Sequence, residues 1–424
     1  MQNYQNIKIY YQKLPHNRQQ RAQPPHHYHL TLTRSALMTT SIAVNGFGRI
    51  GRLVTRLLFD RMDTASPQLQ VIHINEMHSN AETSAYLLEY DTSHGKWLNK
   101  TCTAPNPHTI LITDTVTNQT YTIRFTNNPD PAAVSWDNID LIVECTGKHK
   151  TLKSLEPYFN FNTTNNNNKK EEDKTTDKTT DNTSTNSTIK KIVVSAPMKE
   201  DGVPNIVYGV NQHLYNSTQH NVVTAASCTT NCIAPVVQVL HEKIGICHGM
   251  ITTIHNATNT QCVIDTAWPA NKKEIRRTRS AGANLIPTTT GSAKAITQIF
   301  PELDGLLDGR AVRVPMTVGA SIVDAVFEMK RAVTVEEING LMEDASNGTL
   351  VLGTSSLLKG ILGYESRPLV STDYINDSRS GIVDGGSTMV IDGTMVKMYV
   401  WYDNEWGYSC RMCDLIEMVV KQGL

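Results

Sequence analysis

Residues 41–51 read Ser41-Ile42-Ala43-Val44-Asn45-Gly46-Phe47-Gly48-Arg49-Ile50-Gly51. A short apolar run leads into Gly46-x-Gly48-x-x-Gly51, after which Leu53, Val54, Leu57 and Leu58 recur at helical spacing. Val71-Ile72-His73-Ile74 then reads as a second strand, ending at Asn75-Glu76. Strand, glycine turn, helix and strand make one parallel α/β unit. Such a turn suits a dinucleotide. The first glycine permits the tight turn, and the second lets backbone approach a pyrophosphate that faces the helix N-terminus. Glu76 stands where an acid can accept hydrogen bonds from ribose hydroxyls and repel a 2′-phosphate, so NAD is expected over NADP.

Working outward, further strands are expected at Thr109–Ile112, Tyr121–Phe125, Leu141–Val143 and Ile192–Val194. Between the last two lies residues 163–190, with nine Thr, six Asn, five Lys, five acids and one clear apolar residue, Ile189. Such a tract cannot bury enough apolar surface to offset its ordering entropy, and it is expected to be a disordered insertion. After about residue 227 the pattern changes to long alternating stretches such as Met250–Ile254 and Ala320–Val326, which suit a sheet covered by helices. The expected fold class is therefore α/β: a Rossmann-type NAD-binding domain plus an α+β catalytic domain with a mixed or antiparallel sheet. The expected boundaries are a disordered extension at 1–37, the NAD-binding domain at 38–227, and the catalytic domain at 228–402. A C-terminal helix at 403–424 is expected to pack back on the first domain.

Composition narrows the function. The 424 residues carry 39 basic and 40 acidic side chains, a net charge of −1, which gives no reason to bind nucleic acid or an anionic membrane. No apolar run approaches the roughly 18 residues that span a bilayer. Eight cysteines are too few for a disulfide scaffold. Residues 1–37 hold five Lys/Arg, no acid, six Gln and four His. That basic, acid-poor composition leaves organellar targeting as an alternative to the cytoplasm, which is the location expected.

Cys228 opens a predicted helix within the polar run Ser227-Cys228-Thr229-Thr230-Asn231. A helix N-terminus favours the thiolate, and a neighbouring imidazole favours it further. Cys228 is thus expected to be a nucleophile with a lowered pKa, and His255, at the end of a long strand, is its candidate partner. Cys232, four residues on, is expected to pack inward. Cys102, Cys145, Cys247 and Cys262 are read as structural. Cys410-x-x-Cys413 sits in a helical pattern with no second pair, and no metal site is expected there or at the tail histidines 26, 27 and 29.

Six motifs in order carry a resemblance: Asn45–Gly51, Ala226-Ser-Cys-Thr-Thr-Asn-Cys232, Thr252-Thr-Ile-His255, Pro287-Thr-Thr-Thr-Gly291, Val312-Arg-Val-Pro315 and Trp401-Tyr-Asp-Asn-Glu-Trp-Gly-Tyr408. With them the chain resembles the phosphorylating glyceraldehyde-3-phosphate dehydrogenase family over nearly everything except the two polar segments. The resemblance implies that Cys228 attacks the aldehyde and His255 takes the hydroxyl proton during oxidation to a thioester. Inorganic phosphate then releases an acyl phosphate. It implies cofactor contacts at Asn45, Gly46, Phe47, Gly48, Arg49, Ile50, Glu76, Thr146, Ser195, Asn404 and Tyr408. The attacking phosphate would be held near Ser227, Thr229, Thr290 and Gly291, and the sugar phosphate near Thr258, Thr260 and Arg313. Hydroxyls, N–H groups and one arginine would thus hold the two anions. The implied cofactor is NAD, the implied partners are glyceraldehyde 3-phosphate and inorganic phosphate, and the implied assembly is a homotetramer.

Some positions depart from the family pattern. Glu76 stands where most members have Asp. Glu76 with Tyr90-Asp-Thr-Ser-His-Gly95 is also similar to the erythrose-4-phosphate dehydrogenase branch, although retention of Thr290-Gly291 favours the phosphorylating reaction. The loop around Ala270–Glu274 is read as four residues longer than in the family. Thr252–His255 with Thr258-Asn-Thr-Gln261, and Gly363–Val370, look most like the branch associated with arsenate resistance, in which arsenate would replace phosphate. A non-catalytic, RNA-binding paralogue is the remaining alternative.

Overall fold

The computed structural model describes residues 39–62, 68–159, 189–267, 274–353 and 358–424. The extension expected at 1–37, the tract up to residue 188 and the lengthened loop at 270–273 lie outside them. Ile189 and Lys190, the last residues of the expected insertion, are described. Ile189 is buried against the cluster that holds Trp136 and Leu155, so the fold resumes two residues before the end of the polar tract.

The glycine turn joins β1 (Thr40–Asn45) to α1 (Arg49–Arg61), followed by β2 (Leu69–Asn75) and α2 (Ala81–Glu89). Then come β3 (Lys100–Asn106), β4 (Thr109–Asp114), β5 (Thr120–Thr126), β6 (Leu141–Glu144), α3 (Leu152–Phe159), β7 (Lys191–Val194) and β8 (Val222–Thr224). These strands form one eight-stranded sheet in the order β3-β4-β5-β2-β1-β6-β7-β8. The run from β5 to β8 is parallel, and the β3–β4 and β4–β5 pairings are antiparallel. Period-2 alternation sorts the side chains. Val44 and Val193 enter the core under α1, whereas Ala43, Ile192 and Val194 enter a second core with Trp136, Leu155 and Tyr158.

The second sheet follows α4 (Cys228–Lys243). Its elements are β9 (Ile246–His255), β10 (Ile286–Thr289), α5 (Ser292–Ile299), β11 (Leu307–Arg313), β12 (Ser321–Met329), α6 (Val335–Asn347), β13 (Leu362–Glu365), β14 (Gly381–Asp384), β15 (Met389–Ile391) and β16 (Met395–Tyr402). The order is β10-β11-β9-β12-β16-β14-β13, with β15 on β16. Two pairings are parallel and the others antiparallel, so the sheet is mixed. Strand β12 alternates buried and half-buried along its whole length, and Val323, Ala325 and Phe327 pack on Ile233, Val236, Val237 and Leu240 of α4.

The last helix, α7 (Trp406–Gln422), contributes Met412, Leu415, Ile416 and Val419 to the same core as Val54, Leu57 and Leu58 of α1. Cys410 and Cys413 are buried in it, with the Cys413 thiol against the carbonyl of Val54. Among the described residues no helix is long and apolar enough to cross a membrane.

Candidate active site

The turn after β1 is built for close approach. Gly46 has φ +88°, and a Cβ there would lie 2.5 Å from the backbone nitrogen of Thr146. A Cβ on Gly48 would meet nothing within 4 Å, so that face of the turn is open. Gly48 also caps α1 without any side-chain hydrogen bond, leaving first-turn N–H groups for an anion. A cavity of about 320 Å³ lies there, lined by Asn45, Gly46, Phe47, Gly48, Glu76 and Thr146 among others. These features fit the pyrophosphate and adenosine of a dinucleotide.

Beneath the turn is a buried polar hub that sequence reading missed. The Glu144 carboxylate accepts from Asn45 Nδ2 at 2.9 Å, from Thr146 N at 2.7 Å, and from the hydroxyls of Thr146 and Tyr158. Asn45 Oδ1 accepts in turn from Asn75 Nδ2 at 2.7 Å. The polar atoms of Asn45 are therefore occupied in holding the turn. Glu76 Oε2 accepts the Phe47 N–H at 2.6 Å and Oε1 the His78 N–H at 2.8 Å. Each oxygen keeps a second lone pair for a ribose hydroxyl.

A second cavity, of about 270 Å³, is lined by Arg49, Ile50, Ser195, Ser227, Cys228, His255, Thr258, Arg313, Asn404 and Tyr408 among others. Cys228 is the first residue of α4. Ser227 caps that helix, its Oγ accepting from Thr230 N at 3.1 Å. His255 ends β9 and brings Nε2 to 3.7 Å from Cys228 Sγ. Its Nδ1 lies 2.8 Å from the carbonyl oxygen of Asn256. A carbonyl can only accept, so Nδ1 carries the proton and Nε2 presents a lone pair to the thiol.

The resting charge state differs from the thiolate expected. Burial pushes the Cys228 thiol up, against a smaller opposing pull from Arg313 and local hydrogen bonds. Burial, with the Arg313 charge second, takes His255 down to about 3. Cys228 is half-buried and His255 buried, and desolvation disfavours both charged forms by more than the helix terminus returns, so the pair rests as neutral thiol and neutral imidazole.

The register of the second sheet sets Arg313 of β11 directly opposite His255 of β9. Arg313 Nη1 donates to the Asn256 carbonyl at 3.4 Å, while its Nε is buried without a hydrogen-bond partner. A buried, under-satisfied guanidinium beside an open cavity suits an anion. Thr258 and Thr260 hydroxyls lie 2.9 Å apart, and Arg277 Nη1 donates to Thr260 at 2.7 Å. Arg277 is thus a second guanidinium where one was expected. The sequence offers Arg276, Arg277 and Arg279 together, with no sign of which one turns inward.

Ser227 Oγ lies 3.4 Å from Ser292 Oγ, and Thr290 Oγ1 donates to Ser292 at 3.1 Å. With Gly291 at the start of α5, this hydroxyl chain joins two helix N-termini and identifies Ser292 as a further member. Thr229 does not join it. Its hydroxyl is buried 3.0 Å from the Tyr402 hydroxyl, which also meets Thr253 at 2.7 Å. Thr229, the second residue of α4, thus bridges the site to β16, since its side chain and backbone also hydrogen-bond the Cys228 thiol.

The residues expected to meet the nicotinamide have the same layered construction. Asn404 Oδ1 accepts from Ser321 Oγ at 2.8 Å, which leaves the amide Nδ2 to donate outward. Ser321 Oγ also accepts the N–H of Asn256 at 3.1 Å, tying Asn404 to the residue after His255. Tyr408 is buried, and its hydroxyl donates to the Ala226 carbonyl at 3.2 Å. Arg49 does not face the turn that carries it. Its Nε donates to Glu405 at 2.9 Å and its Nη1 to Asp91.

Two family models match this chain. One is described as the glyceraldehyde 3-phosphate dehydrogenase NAD-binding domain, over residues 40–152, and the other as its C-terminal domain, over residues 227–404. Glyceraldehyde-3-phosphate dehydrogenase 3 of Nostoc sp. is 44% identical, covering 90% of this chain and 98% of the relative. Glyceraldehyde-3-phosphate dehydrogenase 1 of Bacillus cereus is 40% identical, covering 91% of this chain and all of the relative. The Geobacillus stearothermophilus enzyme is 38% identical over the same shares.

Proposed function

The chain belongs to the glyceraldehyde-3-phosphate dehydrogenase family, and from that premise we propose that it oxidises glyceraldehyde 3-phosphate with inorganic phosphate to 1,3-bisphosphoglycerate, reducing NAD. The observation that carries this reading is the thiol of Cys228 facing the unprotonated Nε2 of His255, beside the under-satisfied guanidinium of Arg313. Cys228 attacks the aldehyde carbon as His255 takes the thiol proton and passes it to the oxygen. His255 then accepts the hydroxyl proton of the hemithioacetal as the carbon is oxidised to a thioester. Bound NAD supplies the two-electron acceptor. Phosphate, held by the Ser227–Ser292–Thr290 hydroxyls, attacks the thioester and expels the Cys228 sulfur. Arg313 and Arg277 with Thr258 and Thr260 hold the sugar phosphate, and Asn404 holds the nicotinamide carboxamide.

Purified protein given glyceraldehyde 3-phosphate, NAD and phosphate is expected to form NADH, read at its absorbance band. No NADH above a no-enzyme control would refute the reaction. Arsenate in place of phosphate, and erythrose 4-phosphate in place of the triose, separate the branch alternatives in the same assay.

We further propose a homotetramer that works in the cytoplasm. Eight cysteines in 424 residues are too few for a disulfide scaffold, which suits a reducing compartment. The second sheet exposes Met250, Leu306 and Met395 around an open groove of about 290 Å³. A solvent-facing apolar patch of this kind is the surface a subunit contact would cover. Analytical ultracentrifugation is expected to give four times the chain mass, and a monomer at micromolar concentration would refute the assembly.

A further inference from the structure

His94 lies in the turn after α2, and its side chain is 2% exposed. Nδ1 lies 2.6 Å from Asn376 Oδ1, and Nε2 lies 3.1 Å from Glu405 Oε2. The Asp403 carboxylate approaches the same Nδ1 at 3.9 Å, which also calls for a proton there. With the Glu405 carboxylate at Nε2, and the Asn376 amide oxygen and the Asp403 charge at Nδ1, the surroundings favour an imidazole protonated on both nitrogens.

Those acceptors meet on the segment that carries Asn404. Asp403 and Glu405 flank Asn404, and Asn376 N donates to Asp403 Oδ2 at 2.9 Å. Asp403 Oδ1 accepts the N–H groups of Glu405 and Trp406 at 3.0 and 2.8 Å. Glu405 is also held by Arg49 of α1, Arg49 by Asp91, and Asp91 Oδ1 accepts the N–H of His94 at 2.9 Å. The ring closes on itself. The charged groups facing the imidazole are Glu405 and Asp403 from the segment before α7, Asp91 from its own turn, and Arg49 behind them. Asn376 and the tilted ring of Trp406, 5.6 Å away, complete its surroundings.

We propose that the His94 imidazolium is a positioning residue, pinning the Asp403–Asn404–Glu405 segment so that the Asn404 amide is set to receive the nicotinamide. The inference rests on the assignment of Asn404 to that group. A neutral imidazole keeps one donor and gives up one of its two bonds. It also leaves Asp91, Asp403 and Glu405 with one cation fewer, Arg49 holding two of them and Arg52 and Arg56 lying farther off. Burial opposes the charged form, but the bond to Glu405, the Asp403 charge and the bond to Asn376 prevail and hold His94 above its ordinary range. NAD affinity therefore falls with rising pH, on the alkaline side of a free histidine.

Calorimetry of NAD binding from pH 6 to 9.5 tests this, in a Cys228→Ser background that removes the thiol's own titration. The background protein is expected to lose about tenfold in affinity across one step, the worth of one charge-assisted hydrogen bond. His94→Gln is expected to bind about tenfold more weakly at pH 6.5 and to show no step. Asn376→Asp adds a carboxylate at Nδ1 and, since Asp tolerates the left-handed backbone at φ +64°, is expected to move the step to higher pH. His94→Gln that binds normally, or keeps the step, overturns the proposal. Should that variant not fold, an unmoved step in Asn376→Asp overturns it. Asn404→Ala with undiminished NAD affinity overturns the Asn404 assignment and the proposal together, whereas weakened Asn404→Ala beside normal His94→Gln overturns the His94 role alone.

Discussion

Replacing Cys228 by serine is expected to reduce kcat by at least about 10⁴-fold while leaving NAD affinity within about twofold of wild type. That factor corresponds to roughly 5.5 kcal/mol of transition-state stabilisation. The hydroxyl would inherit the 3.7 Å approach of His255 Nε2 and the first position of α4, so binding and geometry survive. What it loses is acidity and nucleophilicity, since an alcohol is a far weaker acid than a thiol and His255 Nδ1 meets a carbonyl, not the carboxylate that supports the base in a Ser-His-Asp site. The resting state sharpens the test. Because burial raises the Cys228 thiol, iodoacetamide should alkylate it about tenfold faster for each pH unit through neutrality, without levelling off by pH 8. A plateau near pH 6 would mean that the resting sulfur is already thiolate. A serine variant retaining more than a hundredth of the wild-type kcat would remove Cys228 from the chemistry.

That neutral resting pair also shows where sequence reading stops. Gly46, Gly48 and Glu76 lie within one βαβ unit, and local chemistry alone points to them. Cys228 is conspicuous in its polar run, and His255 at its strand end. Their meeting, however, depends on β9 returning beside the N-terminus of α4. The approach of Arg313 depends on a register that pairs it with His255, 58 positions earlier in the chain. No periodicity encodes that pairing. The Thr229 hydroxyl is illegible for the same reason, because it meets Tyr402, 173 residues away. Glu144 sits in the short run Leu141–Glu144, where a buried acid conflicts with an apolar strand. The conflict is visible in the sequence, but its resolution by Asn45, Thr146 and Tyr158 is not. The charge states are the least legible feature, since they follow from how far folding removes His255 and Cys228 from water and from the approach of Arg313.

The enclosure makes His255 an unusual base, and its replacement should show this. His255→Asn is expected to lower kcat by about 10²–10⁴-fold, the usual worth of a positioned general base. The amide preserves the bond to the Asn256 carbonyl but offers no basic nitrogen to the substrate hydroxyl. In the free wild-type protein His255 should stay neutral from pH 5 upward, because burial and Arg313 hold it at about 3. Nitrogen NMR shifts of the labelled ring are the direct check, and titration of this histidine near pH 6.5 would contradict the structure. The Arg313 contribution is electrostatic, so Arg313→Gln should raise the His255 pKa. A substrate phosphate seated on Arg313 should act in the same direction by cancelling its charge. The base would then gain strength when the substrate is in place. Saturation with an unreactive phosphorylated analogue should therefore raise the His255 pKa in the wild type but not in Arg313→Gln. An equal rise in both proteins would separate the guanidinium from the base and leave the low pKa to burial alone.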